Sequence, residues 1–301
     1  MNFQKCCLYG VSSLSELSEL LGSDISHFVR SEYLWRQYHI EFDGTHIIEG
    51  PSNTVKQIQR TILSFLYELD YPDYVYSVRG RSFVDGTASH IYTANHVIKM
   101  DIYKFFLSTG REKVYRFWKD TMNTSATVAT VLTNLTTVDL RKCSLSDVTE
   151  FLRQNRLCIS HLGFGLPTSI VLSFLCNMDM FAALEKYALN NRMILSVFVD
   201  DIILSAEKNV TRADFDLVKR IIMDHGYKIN KKSKYRNGDE PIAVTGLFLS
   251  RKGMGVPNRK QKEYVEFAKY LSFEPDDNEM NMKYQGLKSY ISSVRKVNAK
   301  K

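Results

Sequence analysis

The chain contains no Cys-x-x-Cys pair and no Cys/His cluster at zinc-finger spacing, although it has five cysteines: Cys6, Cys7, Cys143, Cys158 and Cys176. That absence excludes a structural zinc site and leaves the thiols as buried or free groups of a reducing compartment. A charged-then-apolar leader is also missing, since the chain opens MNFQKCCLYG, so no secretory signal is expected. No apolar run is long enough to span a bilayer. The most apolar segment, Ser169 to Leu184, is interrupted by Asn177 and Asp179. Internal repeats and low-complexity tracts are absent, which excludes repeat arrays. These absences together predict a cytoplasmic protein with no membrane partner.

What is present is ordinary globular composition. Of 301 residues, 44% are hydrophobic and 24% charged, enough apolar material for one sizeable core or two smaller subdomains. The formal net charge is +7, and the excess is clustered. Lys228, Lys231, Lys232, Lys234 and Arg236 crowd together, as do Arg251, Lys252, Arg259, Lys260 and Lys262, and the chain closes with Arg295-Lys296 and Lys300-Lys301. Such clusters resemble a polyanion footprint, and a solvated basic surface explains them equally well, so a second signal is needed.

Periodicity gives a coarse order of elements. Ser13-Leu-Ser-Glu16 is a capping box that opens a helix ending at Gly22. Extended structure is predicted from Tyr33 to Phe42 and from His46 to Ile48, around a turn at Asp43-Gly44, followed by a helix from Thr54 to Leu69. Val97 to Phe106 reads as a strand leading into a turn, with Asp101 near its end. Helices are predicted over Lys113–Thr136 and Ser144–Gln154, and the loop Gly163–Ser169 feeds another helix with Thr168 or Ser169 at its N-cap. Further helices are expected over Asp214–His225, Lys260–Leu271 and Met282–Val297, with a strand over Ala243–Leu249 and an acidic loop over Glu274–Asn281. Trp35 and Trp118 read as packing residues, and His161 and His225 as surface or boundary histidines.

The stretch SVFVDDIILSA, Ser196 to Ala206, sets two adjacent carboxylates between β-branched runs. Its economical reading is a hairpin with Asp200-Asp201 at the turn. Side-by-side carboxylates repel unless a cation compensates, and a divalent metal is the usual compensation. Asp101, near the end of its own apolar strand, is the natural third carboxylate if the strands are neighbours in one sheet. Three such groups complete a site for two Mg²⁺ ions of the kind used in phosphoryl transfer. A plain polar turn explains an isolated Asp-Asp as well, so the neighbours in the chain decide.

Those neighbours fall in a recognisable order: GRSFVDGTASH, then MDIYKFF, then GLPTS with its helix, then FVDD, then GYKINKKSK, then VTGLFLS. Over about Leu14 to Val294 this order resembles bacterial reverse transcriptases, most closely the retron type. The resemblance implies an α+β right-hand polymerase fold: fingers and N-terminal helices over 1–95, a palm with an antiparallel sheet and helices on one face over 96–250, and a helical thumb over 251–301. It implies RNA-directed DNA synthesis by two-metal nucleotidyl transfer, with Mg²⁺ or Mn²⁺ held by Asp101, Asp200, Asp201 and the backbone carbonyl of Ile102. Phe106 then resembles the gate that rejects a ribose 2′-hydroxyl, although core packing beside Phe105 is its plain alternative. Gly165, Pro167, Thr168 and Ser169 would support template and nucleotide, a role their helix-capping chemistry does not require. His90, Lys232, Lys234, Thr245, Gly246, Arg259 and Lys260 would contact nucleic acid, with Lys232 and Lys234 as rivals near the triphosphate.

The same resemblance implies partners. A retron enzyme copies part of a cognate structured non-coding RNA, primed from an RNA 2′-hydroxyl, into a branched RNA–DNA product (msDNA). Such systems resemble antiphage modules with a separate effector protein. Other bacterial reverse transcriptases of the diversity-generating or group II intron type are rivals, as is a nucleic-acid-binding scaffold or antitoxin on the same fold. Four positions depart from the family pattern: Val199 in place of Ala, Phe164 in place of Gln, Ile170 in place of Pro, and His46 where an Arg is common.

Overall fold

The computed structural model describes residues 1–30, 34–141 and 143–299. The start of the predicted extended segment at Tyr33 and the terminal Lys300-Lys301 lie outside the described residues. The chain divides into two interleaved units: Met1–Pro72, Ile102–Ala183 and Ile222–Lys228 form one, and Asp73–Asp101, Leu184–Ile221 and Ile229–Lys301 the other. In chain order the strands are β1 (Tyr38–Phe42), β2 (Ile47–Pro51), β3 (His96–Asp101), β4 (Val138–Asp139), β5 (Ser160–His161), β6 (Ile194–Phe198), β7 (Asp201–Ser205), β8 (Lys234–Asn237), β9 (Ile242–Val244), β10 (Leu247–Ser250) and β11 (Gly253–Gly255). The architecture is mixed α+β with antiparallel strand pairing in its sheets, as expected.

The first unit is largely helical. Its helix Ala126–Thr136 is buried along most of its length, and Trp118, with no exposed surface, donates its indole N–H to Thr136 Oγ1 at 3.3 Å. The predicted continuous helix Lys113–Thr136 is interrupted. Arg111–Arg116 runs into a π-helical turn over Phe117–Thr121, Asn123 takes a positive φ of 53°, and Ser125 then caps a new helix by accepting from Val128 N. A serine side chain competes with the helical ladder for backbone N–H groups, and here it wins at an N-cap. The helix after the Gly163 loop is likewise divided, into Ser169–Leu175 and Met178–Asn190.

The second unit contains a four-stranded sheet in the order β6-β7-β3-β8 and a three-stranded sheet in the order β11-β10-β9. The predicted single strand Ala243–Leu249 is in fact a hairpin. Thr245 and Gly246 both take positive φ, 45° and 78°, and reverse the chain so that Leu247 pairs with Val244. Two consecutive positive φ angles are the signature of a two-residue primed turn. Strand β8 had no clear pattern in the sequence, because its residues are polar and basic. Val97, Ile203, Val244, Leu247, Leu249 and Val294 pack into one apolar cluster. The C-terminal helix contributes to it and begins earlier than expected, at Asn278, so part of the predicted acidic loop forms its first turn. No described helix is long and apolar enough to cross a membrane.

Strands β6 and β7 are tied together by a buried polar circuit. Helix Phe83–Ala88 starts at a capping box of Ser82 with Asp85, and delivers His90 to a position with no solvent exposure. His90 Nδ1 lies 2.5 Å from Ser205 Oγ on β7, and Nε2 lies 2.7 Å from Ser196 Oγ on β6. Thr93 Oγ1 donates to the His90 carbonyl at 3.3 Å and stands 2.5 Å from Ser205 Oγ. Each ring nitrogen thus has a hydroxyl partner, and a neutral imidazole, donating from one nitrogen and accepting at the other, satisfies the circuit. His90 is a core residue, with no surface to offer a nucleic acid.

Burial holds the His90 pKa far below its ordinary 6.5, at about 3. Between those values the unfolded chain takes up a proton that the folded state refuses, so stability falls as pH drops below 6.5. A His90→Gln variant lacks that linkage. In urea unfolding, its stability deficit relative to wild type should narrow by up to about 1.4 kcal/mol for each pH unit of acidification in this window. A constant deficit would contradict a buried neutral imidazole.

Candidate active site

Strand β3 ends at Asp101 and strand β7 begins at Asp201, and the two residues are direct partners in the antiparallel ladder. Two carboxylates are thus opposed across a strand pair, an arrangement that destabilises a sheet by itself. The β6–β7 hairpin forms as the sequence predicted, shifted by one residue. Its two-residue turn is Val199-Asp200, and Asp201 is already in the strand. Val199 consequently adopts φ 59°, a region that a β-branched residue avoids at a cost of about 1–2 kcal/mol. Flanking contacts hold the turn in place. Val197 is bonded on its outer edge to Tyr74 O at 2.8 Å and from Tyr76 N at 2.9 Å, and the Phe198 ring meets Phe83 at 5.7 Å between centroids.

The electrostatics follow from this crowding. Burial first, then the neighbouring Asp201, pushes the Asp200 carboxyl up to about 6. Asp101 is raised by the same two causes, burial and then Asp201, while Lys99 and Lys232 pull it back. Lys99 stands two residues before Asp101 on the same face of β3, and its Nζ lies 3.2 Å from Asp201 Oδ1. That buried oxygen accepts no well-directed hydrogen bond, so the ion pair is its only compensation among the described contacts. The Asp101 backbone is fixed from the far side: its N–H donates to Ser233 Oγ at 2.9 Å and its carbonyl accepts from Asn230 N at 2.8 Å.

The reverse transcriptase (RNA-dependent DNA polymerase) family matches residues 43–274 of the chain. The chain belongs to that family. It is also 24% identical, over 280 residues, to the retron Se72 reverse transcriptase of Salmonella heidelberg (strain 579083-10), an alignment covering 87% of this chain and 68% of that protein. The polymerase family acts on a nucleic-acid template with deoxynucleotide substrates and uses divalent metal ions. Among the described residues of this reverse transcriptase, no three His, Cys, Asp or Glu side chains already stand together as a finished ion cage. The donor chemistry nonetheless suits such an ion: the hard carboxyl oxygens of Asp101 and Asp200 are raised in pKa by burial and then by Asp201, and an oxygen of Asp201 itself is buried without a hydrogen bond.

The other sequence-predicted residues of the reverse transcriptase fall into two groups. In the unit that begins at Met1, Ile102 is buried, while Phe105 is 3% exposed and Phe106 half-buried, its ring centroid 6.5 Å from that of Phe105 and 6.0 Å from that of Phe164. Gly165 has φ 122°, and a Cβ there would come within 3.1 Å of the Glu49 carbonyl oxygen, so glycine is required. Pro167 is half-buried. Thr168 and Ser169 are buried, and Ser169 donates to the Gly163 carbonyl at 2.7 Å instead of capping the helix. His46 is held by the exposed Asp43 turn at 3.2 Å.

In the other unit, Lys232 is exposed and its charge reaches Asp101, whereas Lys234 lies in β8 opposite Lys99. Thr245 and Gly246 form the hairpin turn already described, and the Gly246 carbonyl accepts from Tyr290 Oη at 2.9 Å. Arg259 and Lys260 project from helix Asn258–Leu271, paired with Glu263 at 2.9 and 2.7 Å. Sequence reasoning missed Lys99 and the buried pair Glu49–His161. Lys99 alone carried a signal, its two-residue spacing from Asp101.

The raised Asp200 pKa has a stability consequence. The unfolded carboxyl ionises near 3.8 and the folded one near 6, so the metal-free folded state is penalised above pH 6 and unpenalised below about pH 4. Asp200→Asn should therefore raise the metal-free thermal midpoint by a few degrees at pH 7.5, with the gain vanishing at pH 4. Adding MgCl₂ at pH 7.5 should raise the wild-type midpoint more than that of the variant. Equal midpoints at pH 7.5 without metal would contradict the electrostatic account.

Proposed function

We propose that this reverse transcriptase is a retron enzyme that copies part of a cognate structured RNA into msDNA within an antiphage system. The observation that carries the catalytic reading is the opposition of Asp101 and Asp201 across β3 and β7, with Asp200 in the adjoining turn. In this reading residues 1–95 are fingers, 96–250 palm and 251–301 thumb. The retron assignment is supported by the likeness to a retron reverse transcriptase and by the GRSFVDGTASH and VTGL segments.

Asp101, Asp200, Asp201 and the Ile102 carbonyl would hold the divalent ions, which when bound stabilise charge on the attacking and leaving oxygens of nucleotidyl transfer. The remaining work belongs to the chain. Lys99 keeps Asp201 oriented and partly neutralised between metal-binding events. Phe106 offers its exposed face to the sugar and leaves no room for a 2′-hydroxyl. Lys232, Lys234, Thr245, Gly246, Arg259 and Lys260 bind nucleic acid, the cations through phosphates, which provides affinity without sequence reading. Catalysis then rests on positioning and electrostatics, with no covalent intermediate on the protein.

Two experiments test this reading. Nucleic acid copurified with the wild type should include a branched RNA–DNA species, absent from the Asp200→Ala/Asp201→Ala variant. Mg²⁺-dependent deoxynucleotide incorporation should be abolished in that variant. Incorporation without any branched species would move the enzyme to another class of bacterial reverse transcriptase, and equal incorporation by both proteins would remove the catalytic assignment. Separately, Phe106→Ala should raise ribonucleotide incorporation by about tenfold or more, as expected when a steric exclusion is removed. An unchanged deoxynucleotide preference would show that Phe106 is packing alone.

A further inference from the structure

Strands β2 and β5 are joined by a buried ionisable pair that the catalytic reading leaves unused. Glu49 and His161 both have no solvent exposure, and Glu49 Oε1 lies 2.9 Å from His161 Nε2. His161 Nδ1 meets the Cys158 carbonyl, which can only accept, so that nitrogen carries a proton. An ionised Glu49 requires the other nitrogen to donate as well, which makes the pair imidazolium and carboxylate. Burial alone would lower the His161 pKa, and the Glu49 charge and hydrogen bond override it, holding the group above its ordinary value. His161 is thus a core ion, not the boundary histidine expected from sequence.

The second Glu49 oxygen and the Glu49 backbone both act on one residue. Phe164 N donates to Glu49 Oε2 at 3.0 Å, and Glu49 N donates to the Phe164 carbonyl at 2.8 Å. The two glycines flanking Phe164 leave no slack, since a Cβ on Gly163 would fall 2.8 Å from Val138 Cγ2 and one on Gly165 would fall 3.1 Å from the Glu49 carbonyl oxygen. Held at its backbone on both sides, Phe164 presents a ring that is 50% exposed and whose centroid lies 6.0 Å from that of Phe106. A large exposed aromatic fixed so firmly needs a purpose beyond core packing.

We propose that Glu49, through its buried pair with His161, is a positioning residue that locks Phe164 beside Phe106, so that the two rings act together as one wall of the sugar gate. This rests on the reading of Phe106 as the sugar gate. Glu49 touches no substrate and acts through Phe164. Glu49→Gln preserves the arrangement without charge: its amide oxygen accepts from Phe164 N, and its amide N–H donates to a neutral His161 Nε2.

The test is a double-mutant cycle on steady-state primer extension, measuring KM for deoxynucleotide and kcat separately. Glu49→Ala and Phe164→Ala should each raise KM by about tenfold with kcat within about twofold, and the double variant should be no worse than either alone. Glu49→Gln should restore KM to within about twofold of wild type, and it remains informative if Glu49→Ala fails to fold. Additive KM effects, a parallel loss in kcat, or a Gln variant as impaired as Phe164→Ala would each overturn the positioning role. The Asp200→Ala/Asp201→Ala variant tests the active-site reading alone. If extension depends on that pair while the Glu49 and Phe164 effects add, the proposed wall fails and the polymerase reading stands.

Discussion

Repulsion between carboxylates at one end of a four-stranded sheet is the constraint around which this molecule is arranged. Asp101 and Asp201 face each other across a strand pair, and Asp200 is the second residue of the tight turn that joins β6 to β7. No sheet places like charges there for stability. The chain tolerates them through a cation on the same face, Lys99, and through backbone anchors that do not depend on charge. Asn230 and Ser233 hold Asp101 by its main chain, and outer-edge bonds from Tyr74 and Tyr76 hold β6 just before the turn. Strain at Val199 belongs to the same account, because a turn this short leaves the valine no relaxed conformation while Asp200 stays beside Asp201.

A similar logic recurs in the other unit with opposite emphasis. There a charge is wholly buried and its partner is supplied, and the pair fixes a loop through two backbone hydrogen bonds. Such pairs contribute little net stability, since desolvation offsets most of their attraction. What they add is a single geometry. In both units, ionisable groups serve to restrict local conformation, while bulk stability comes from apolar clusters such as that around Val97 and Val244.

The sequence made the acidic hairpin legible because alternation and a like-charge pair are local signals. It misplaced the turn by one residue, since propensity argues against a β-branched residue at positive φ and the fold overrides it. The Thr245-Gly246 hairpin was read as one strand for the same reason: threonine is a strand former, and nothing local announces its reversal. The break before Ser125 was written in the letters as an N-cap but was hidden inside a stretch rich in threonine and valine. Glu49 and His161, separated by 112 positions, could not be paired by any local pattern. Phe105 and Phe106 are identical letters side by side, and only the fold makes one buried and the other half-buried.

The circuit through Thr93, Ser205, His90 and Ser196 solves a problem of alignment. Ile202, Ile203 and Leu204 are nearly interchangeable apolar residues, all buried, so the β6–β7 pair could slide along itself at little hydrophobic cost. A buried polar relay tolerates no such slide, because a shifted strand would leave donors and acceptors unpaired where water cannot reach them. The spacing between the carboxylates at one end of the hairpin is therefore indexed by a neutral imidazole at the other, as a ruler is read from its zero mark.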